Sequence, residues 1–186
     1  MGMVWKHIAF AFAISAWAVL PNAARAQADA RAKDAFDFFK TFCVDTDGAR
    51  DRAIAVIGDG NAMANKLPDS LVAQLQGQPG GIAWAVRSPS DAQLLLGYTA
   101  SGICEIRIAE AEEPAVVARF ADLIASFGSA VHGQSTPPQL RSEDGAARTF
   151  RTYEFDRSGK HALIALTTSD KKVGAQQHLI TFGFVK

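Results

Sequence analysis

The chain has 186 residues, in which 19 Lys and Arg side chains balance 19 Asp and Glu, and it has only two cysteines. This length suits one domain with a proper core, and the balanced charge gives no reason to expect a nucleic-acid partner or a surface of anionic lipid. Basic residues outnumber acidic ones only after residue 113, a bias that favours an acidic ligand or is an ordinary solvated surface.

The first 26 residues are typical of a signal peptide. A short cationic start precedes an unbroken apolar run at residues 8–20, and "ARA" at residues 24–26 fits the small-x-small pattern of a cleavage site. Cleavage is predicted after Ala26, with Ala28 as second choice, and leaves residues 27–186 as a single domain. The apolar run is shorter than the roughly 17 to 25 residues of a spanning helix, so an uncleaved anchor is the weaker alternative. We therefore expect a periplasmic or secreted protein without a membrane span in its mature chain.

A helix is predicted over residues 29–42, because apolar residues recur there at three- and four-residue spacing. One face of this helix carries Ala32, Ala35, Phe36, Phe39 and Cys43. That spacing places the first cysteine on the buried side of the helix.

The second cysteine lies in "SGICEIRIAEA", where the period is two. Cys104 and Ile106 therefore share the buried face of a strand, and Glu105 and Arg107 share the other face. Since an oxidising compartment favours joined cysteines, we predict a structural disulfide between Cys43 and Cys104. A redox-active pair is the alternative, but the Cys-x-x-Cys spacing typical of it is absent.

The sequence "DTDG" after Cys43 has two interpretations. In a calcium loop of EF-hand type, Cys43 and Ile54 occupy the positions of the first ligand and of the bidentate glutamate, so the pattern fails at both ends. The second interpretation is a helix over residues 48–57 capped by Asp47, with Thr46 as the alternative cap. We therefore predict no metal site here.

The rest of the chain alternates between strand and helix patterns. A short helix at residues 70–76 precedes three strand-like runs, "IAWAVR", "QLLLGY" and "GICEIRIA". A helix with an apolar stripe follows at residues 114–127, and three more strand patterns complete the chain: "TFRTYEF", "KHALIALTT" and "QQHLITFGFV".

We therefore predict an α+β fold. Its order is N-terminal helices, a three-strand antiparallel meander, a helix and a second three-strand antiparallel meander, with the helices packed on one side of the sheet. The patterns leave open whether the two meanders form one sheet or two.

Residues 128–148 are polar and rich in turn formers, which predicts a long loop. Loops of this length are uncommon in compact domains and are often functional. The loop and its neighbours are the predicted contact surface for a periplasmic protein or an acidic ligand; a connector without a role is the alternative. The side chains assigned to this surface are His132, Arg141, Arg148, Arg151, Arg157 and Lys160.

No recognisable catalytic, metal or cofactor motif is present in the sequence. His161 and His178 fall on the last two predicted strands, where a facing pair binds a metal or, more commonly, is only hydrogen-bonded or solvated. Ser158 is near His161, but "DRSGKH" is typical of a hairpin turn. We therefore assign no catalytic residue, no metal and no cofactor.

A signal peptide, an early "FFxxFC" helix and a second cysteine in a strand occur together here. In these features the chain resembles small uncharacterised exported proteins of proteobacteria, and the resemblance implies no particular activity. The predicted function is a small secreted periplasmic binding or accessory protein of the inhibitor or adaptor type. The alternatives are a small periplasmic hydrolase whose site is assembled only in the fold, and a structural component of the envelope.

Overall fold

The computed structural model describes residues 20–57, 63–128, 132–143 and 145–185, with side chains from residue 29 onwards except at residue 143. Its elements in chain order are α1 (Leu20–Phe39), a π-helical turn (Lys40–Val44), α2 (Arg50–Ile57), β1 (Ala64–Lys66), α3 (Asp69–Gln76), β2 (Ile82–Arg87), β3 (Gln93–Tyr98), β4 (Cys104–Ile108), α4 (Glu113–Ser126), β5 (Gly133–Ser135), β6 (Gln139–Glu143), β7 (Ala146–Arg157), β8 (Lys160–Ser169) and β9 (His178–Phe184).

The predicted signal peptide lies mostly outside the described residues. Residues 20–26 are helical backbone at the start of α1, so the predicted cleavage site after Ala26 falls inside that helix. In the described part of the chain, no helix is both long enough and apolar enough to cross a membrane.

The α+β prediction is confirmed, and the described strands form one antiparallel sheet. The strand order is β1-β2-β3-β4-β9-β8-β7-β5, and β6 also pairs with β7. The two predicted meanders are joined because β4 pairs with β9, with Ile106 opposite Ile180. The sequence could not show this pairing, because the two strands lie far apart in the chain.

The predicted order of elements lacked two strands in residues 128–148, the segment that was predicted to be a loop. Its described residues contain β5 and β6, both of which pair with the outer edge of β7. β7 is 12 residues long and therefore offers backbone partners to two short strands in succession. Because β5 is polar and exposed throughout, its sequence carries no hydrophobic alternation and reads as a loop.

The N-terminal helix buries the predicted face, although α1 begins at Leu20 and its continuation, Lys40–Val44, is π-helical. The disulfide between Cys43 and Cys104 is formed. The Cα atoms of the two cysteines lie 5.4 Å apart, and both residues are fully buried. The bridge ties the π-helical turn after α1 to β4, in which Cys104 is the first residue. Beside it, the Tyr98 hydroxyl donates to the Phe42 carbonyl at 2.6 Å, which satisfies a backbone acceptor in the core.

The predicted helix cap at Asp47 or Thr46 is wrong. Asp47 and Gly48 both have positive φ, 55° and 68°, and the Gly48 amide donates back to the Cys43 carbonyl. "DTDG" therefore ends the first helical segment, because Asp47 and Gly48 adopt the left-handed backbone conformation that is common at helix C-termini. The Thr46 hydroxyl donates to the Phe42 carbonyl, and the Asp47 carboxylate accepts from Arg157, so neither side chain caps α2.

The two faces of the sheet differ in what covers them. We call the face against α1 and α4 the helix face; it carries large, fully buried side chains of the strands, among them Leu96, Ile106, Ile164, Leu166, Ile180 and Phe182. We call the opposite face the open face. The predicted packing of all helices on one side needs correction, because Gln76 of α3 reaches Glu105 on the open face.

Candidate functional site on the open face of the sheet

The open face carries a continuous row of half-buried side chains. Across the strands, Ala85, Leu95, Arg107, Leu179, Thr167 and Phe150 lie opposite one another in register. These side chains keep partial solvent access, whereas their neighbours on the helix face of β2, β3, β4, β8 and β9 are buried. Half-exposed apolar groups on an uncovered face mark a surface suited to binding.

A nearly buried ion pair interrupts this row. Arg107 donates from Nε and Nη2 to both carboxylate oxygens of Glu105, at 3.2 and 3.1 Å, and the two side chains are 14% and 7% exposed. Gln76 of α3 donates to the same carboxylate at 3.2 Å, and Arg107 donates to the side chain of Gln176 at 2.9 Å. The pair thus ties α3 and the β8–β9 connector to the sheet from two sides.

Gly97 makes room for this pair. A Cβ atom at this position would lie 2.8 Å from the Glu105 carboxylate. A larger residue at position 97 would therefore displace the Glu105 carboxylate from its donors, Gln76 and Arg107. The glycine is required because the carboxylate approaches the backbone so closely.

A cleft of about 630 Å³ opens beside the ion pair, in the size range of small-molecule sites. One side is formed by Met63, just before β1, and Asn65 within it, and the other by the β8–β9 connector with Lys172 and Ala175. Its remaining lining residues come from β2, β3 and the residue after β4: Ala85, Val86, Arg87, Gln93, Leu94, Leu95 and Ala109.

The lining of the cleft contains two cations, Arg87 and Lys172, and no acidic residue. Arg87 lies 3.2 Å from the carboxylate of Asp91, but both side chains are about 70% exposed, so this pair contributes little. Lys172 forms no side-chain hydrogen bond or ion pair with the rest of the described chain. The cleft therefore combines an apolar floor with a positive edge.

A smaller pocket of about 230 Å³ continues the cleft at its positive edge. It shares Gln93, Ala109 and Lys172 with the cleft and adds Arg31, Asp91 and Glu110. Arg31 lies 3.8 Å from Glu110, and its Nε is buried without an acceptor among the described residues. Taken together, the two pockets hold three cations and two carboxylates.

The six residues of the predicted contact surface lie on both faces of the sheet, and not on one. Arg141 and Arg148 lie opposite each other in register on the open face, at the edge far from the cleft. The Arg141 guanidinium stacks over the Phe150 ring at 4.9 Å. His132 precedes β5 and lines a shallow pocket of about 310 Å³ with Glu154, Asp156 and His161.

The other three predicted surface residues lie on the helix face and have partners within the chain. Arg151 donates to the Thr168 hydroxyl at 3.2 Å, and Arg157 pairs with Asp47. The Lys160 ammonium lies 5.2 Å above the Phe184 ring. The six residues therefore do not form a single patch.

His161 and His178 do not face each other, because they lie on opposite faces of the sheet. His161 is exposed on the open face, 3.4 Å from Asp156 and 3.3 Å from Glu154, and these hydrogen bonds raise its pKa. His178 is buried on the helix face, and burial lowers its pKa. Its Nε2 donates to the Ala111 carbonyl at 2.9 Å, and its Nδ1 accepts from the Ser169 amide.

These arrangements limit the chemistry that the described residues offer. Among them, no side chain of serine, threonine or cysteine hydrogen-bonds a histidine, and no three His, Cys, Asp or Glu side chains are grouped to hold a metal. Ser158 and Gly159 have φ of 53° and 72°, which confirms the tight hairpin turn predicted there.

Sequence reasoning missed the cleft. Its walls come from β1, β2, β3 and the β8–β9 connector, and no local motif joins these segments. The alternation in "CEIRI" indicated only the ion pair next to the cleft, since it correctly put Glu105 and Arg107 on the face away from the core. In comparisons with known proteins, no family model, curated protein or solved structure matches this chain.

Proposed function

We propose that the protein is an exported binding protein of the accessory type, which holds an acidic ligand against the open face of its sheet. The observation that carries the proposal is the cleft of about 630 Å³, which has Arg87 and Lys172 at one edge and no acidic residue in its lining. Convergent polar groups at the edge of a mostly apolar concavity are the usual features of a small-molecule site.

Export is part of the proposal. The buried Cys43–Cys104 bridge supports it, because disulfides persist in the periplasm and outside the cell and are rare in the cytosol. The signal-peptide pattern of residues 1–26 supports it independently. Intact-mass measurement of protein purified from the periplasm, with and without reduction, tests both points.

The binding proposal is tested by NMR of the ¹⁵N-labelled protein with small molecules from a periplasmic extract, separated into acidic and neutral fractions. We expect the acidic fraction to shift the backbone amides of Ala85 and Leu95, and the neutral fraction to leave them unchanged. The double variant Arg87→Gln/Lys172→Gln should lose the shifts, and Lys160→Gln, a cation on the helix face, should keep them. Shifts confined to the helix face, or none with any fraction, would contradict the proposal.

A second candidate, a small hydrolase, has one observation in its favour. The shallow pocket at His132 and His161 also contains Glu154 and Asp156, and the raised pKa of His161 suits a general acid. We expect His161→Gln to abolish any ester or glycoside hydrolysis by the purified protein. Hydrolysis that survives this change would exclude this pocket as its source.

A further inference from the structure

We propose that the ligand of the cleft is an amphipathic aliphatic monocarboxylate, with its carboxylate at Arg87 and Lys172 and its alkyl chain over Ala85 and Leu95. This inference rests on the proposed function, because it names the class of acidic ligand for the same cleft.

The charged groups of the cleft gather at one end of the strands. Arg87 is the last residue of β2 and lies opposite Gln93, the first residue of β3. The amide of Ala109, just after β4, donates to the Gln93 carbonyl at 3.1 Å, so these three positions share that end. Lys172 reaches the same end from the connector, since it shares the smaller pocket with Gln93 and Ala109.

The apolar groups of the cleft lie further along the same strands. Ala85 and Leu95 lie opposite each other in register, between Asn65 on β1 and Arg107 on β4 in the same row. The cleft as a whole, at about 630 Å³, is large enough for an alkyl chain of medium length. Ala175 also lines the cleft, and Met63, which is 43% exposed, lies opposite Arg87, since its carbonyl accepts from the Arg87 amide.

The charges favour a singly charged head group. Arg87 already lies beside Asp91, and the adjoining pocket adds the opposed pair Arg31 and Glu110. The acidic side chains near the head position repel a second negative charge, whereas one carboxylate offsets the excess of one cation. A phosphate dianion fits this balance less well than a carboxylate does.

Isothermal titration with decanoate, below the concentration at which it forms micelles, tests the inference. We expect saturable one-to-one binding, with weaker binding by octanoate and no measurable binding by acetate. Decanol and decyltrimethylammonium should bind at least tenfold more weakly than decanoate, because they lack the negative head. Decyl phosphate should also bind more weakly, because it carries a second charge.

Two pairs of variants locate the ligand. Ala85→Leu fills the floor of the cleft and should abolish binding, whereas Ala165→Leu makes the same change at a half-buried position of the open face on β8 and should not. Arg87→Gln and Lys172→Gln should each weaken decanoate binding about fivefold, the size expected for exposed charges, and Lys160→Gln should not. Melting temperatures check that every variant is folded.

The outcomes separate this inference from the proposed function. Equal binding of decanol and decanoate, or equal loss in Ala85→Leu and Ala165→Leu, would overturn the inference. If the acidic periplasmic fraction shifts the cleft amides but decanoate and octanoate do not bind, the cleft takes an acidic ligand of another class, and only the inference fails. If neither the fraction nor the carboxylates bind, both proposals fail.

Discussion

The helix face and the open face of the sheet are built from alternate residues of the same strands, yet they differ in composition and in cover. On β9, Ile180 is fully buried beneath the helices, whereas its neighbour Leu179 on the open face is only half-buried. The helix face thus holds most of the apolar surface removed from water, which is the main favourable term in folding. The open face is free to present a cleft because the core does not depend on covering it.

The same contrast governs the two histidines. His178 on the helix face is kept neutral by burial, and exposed His161 is favoured in its charged form by two carboxylates. One residue type therefore has opposite pKa shifts on the two faces, because the solvent and the partners differ.

The largest effect is expected from the disulfide that anchors the helix face. Replacing both Cys43 and Cys104 by Ala should lower the free energy of unfolding by about 4 kcal/mol, because a bridge across 61 residues no longer restricts the unfolded chain. Urea unfolding of the variant and of the reduced wild type measures the loss. A loss below about 1 kcal/mol in both would show that the helices hold the helix face without the bridge.

Truncations on neighbouring residues of β9 compare the two faces directly. Ile180→Ala should cost about 3 kcal/mol, because it leaves a cavity in a fully buried site. Leu179→Ala should cost about 1 kcal/mol, because solvent already reaches this side chain. Equal losses in urea unfolding would mean that the open face contributes to the core as much as the helix face does.

The third prediction concerns the ion pair between Glu105 and Arg107, a polar contact on the open face. Glu105→Gln should cost about 2 kcal/mol, because Arg107 loses its charged partner at a site with little solvent access. The double change Glu105→Leu/Arg107→Met should recover part of the loss, since no buried charge is left without a partner. If the double variant is less stable than Glu105→Gln, an unpaired charge on Arg107 is not the cause of the loss.

The smallest effect is a dependence on pH, with opposite signs for the two histidines. The lowered pKa of His178 means that the unfolded chain takes up a proton first, so its contribution to stability is lost as pH falls below about 6.5. The raised pKa of His161 means that its contribution is present below about 6.5 and is lost as pH rises through the folded-state pKa.

Urea unfolding of His178→Gln and His161→Gln between pH 5 and pH 8 separates the two contributions. Relative to wild type, the His178 variant should lose stability least at the acid end, and the His161 variant should lose it most there. The same slope in both variants would contradict the assignment of one histidine to each face.

Periodicity predicted those parts of the fold in which a segment buries one side. The spacing of Phe36 and Phe39 gave the buried side of α1, and the alternation around Cys104 gave β4, so the disulfide followed from two independent patterns. The patterns failed where backbone pairing alone makes a strand, as in β5, whose residues are all exposed. They also failed at Asp47, because a composition that suits a helix cap suits a left-handed helix end equally well.

The sequence by itself determined the α+β class, the pairing of Cys43 with Cys104, and the separation of Glu105 and Arg107 from the core. Each of these follows from local spacing, because side-chain direction repeats every 3.6 residues in a helix and every two in a strand. Only the tertiary structure decided the junction of β4 with β9, the division of the basic residues between two faces, and the cleft between β1 and the β8–β9 connector. These depend on contacts between segments far apart in the chain, which local spacing does not encode.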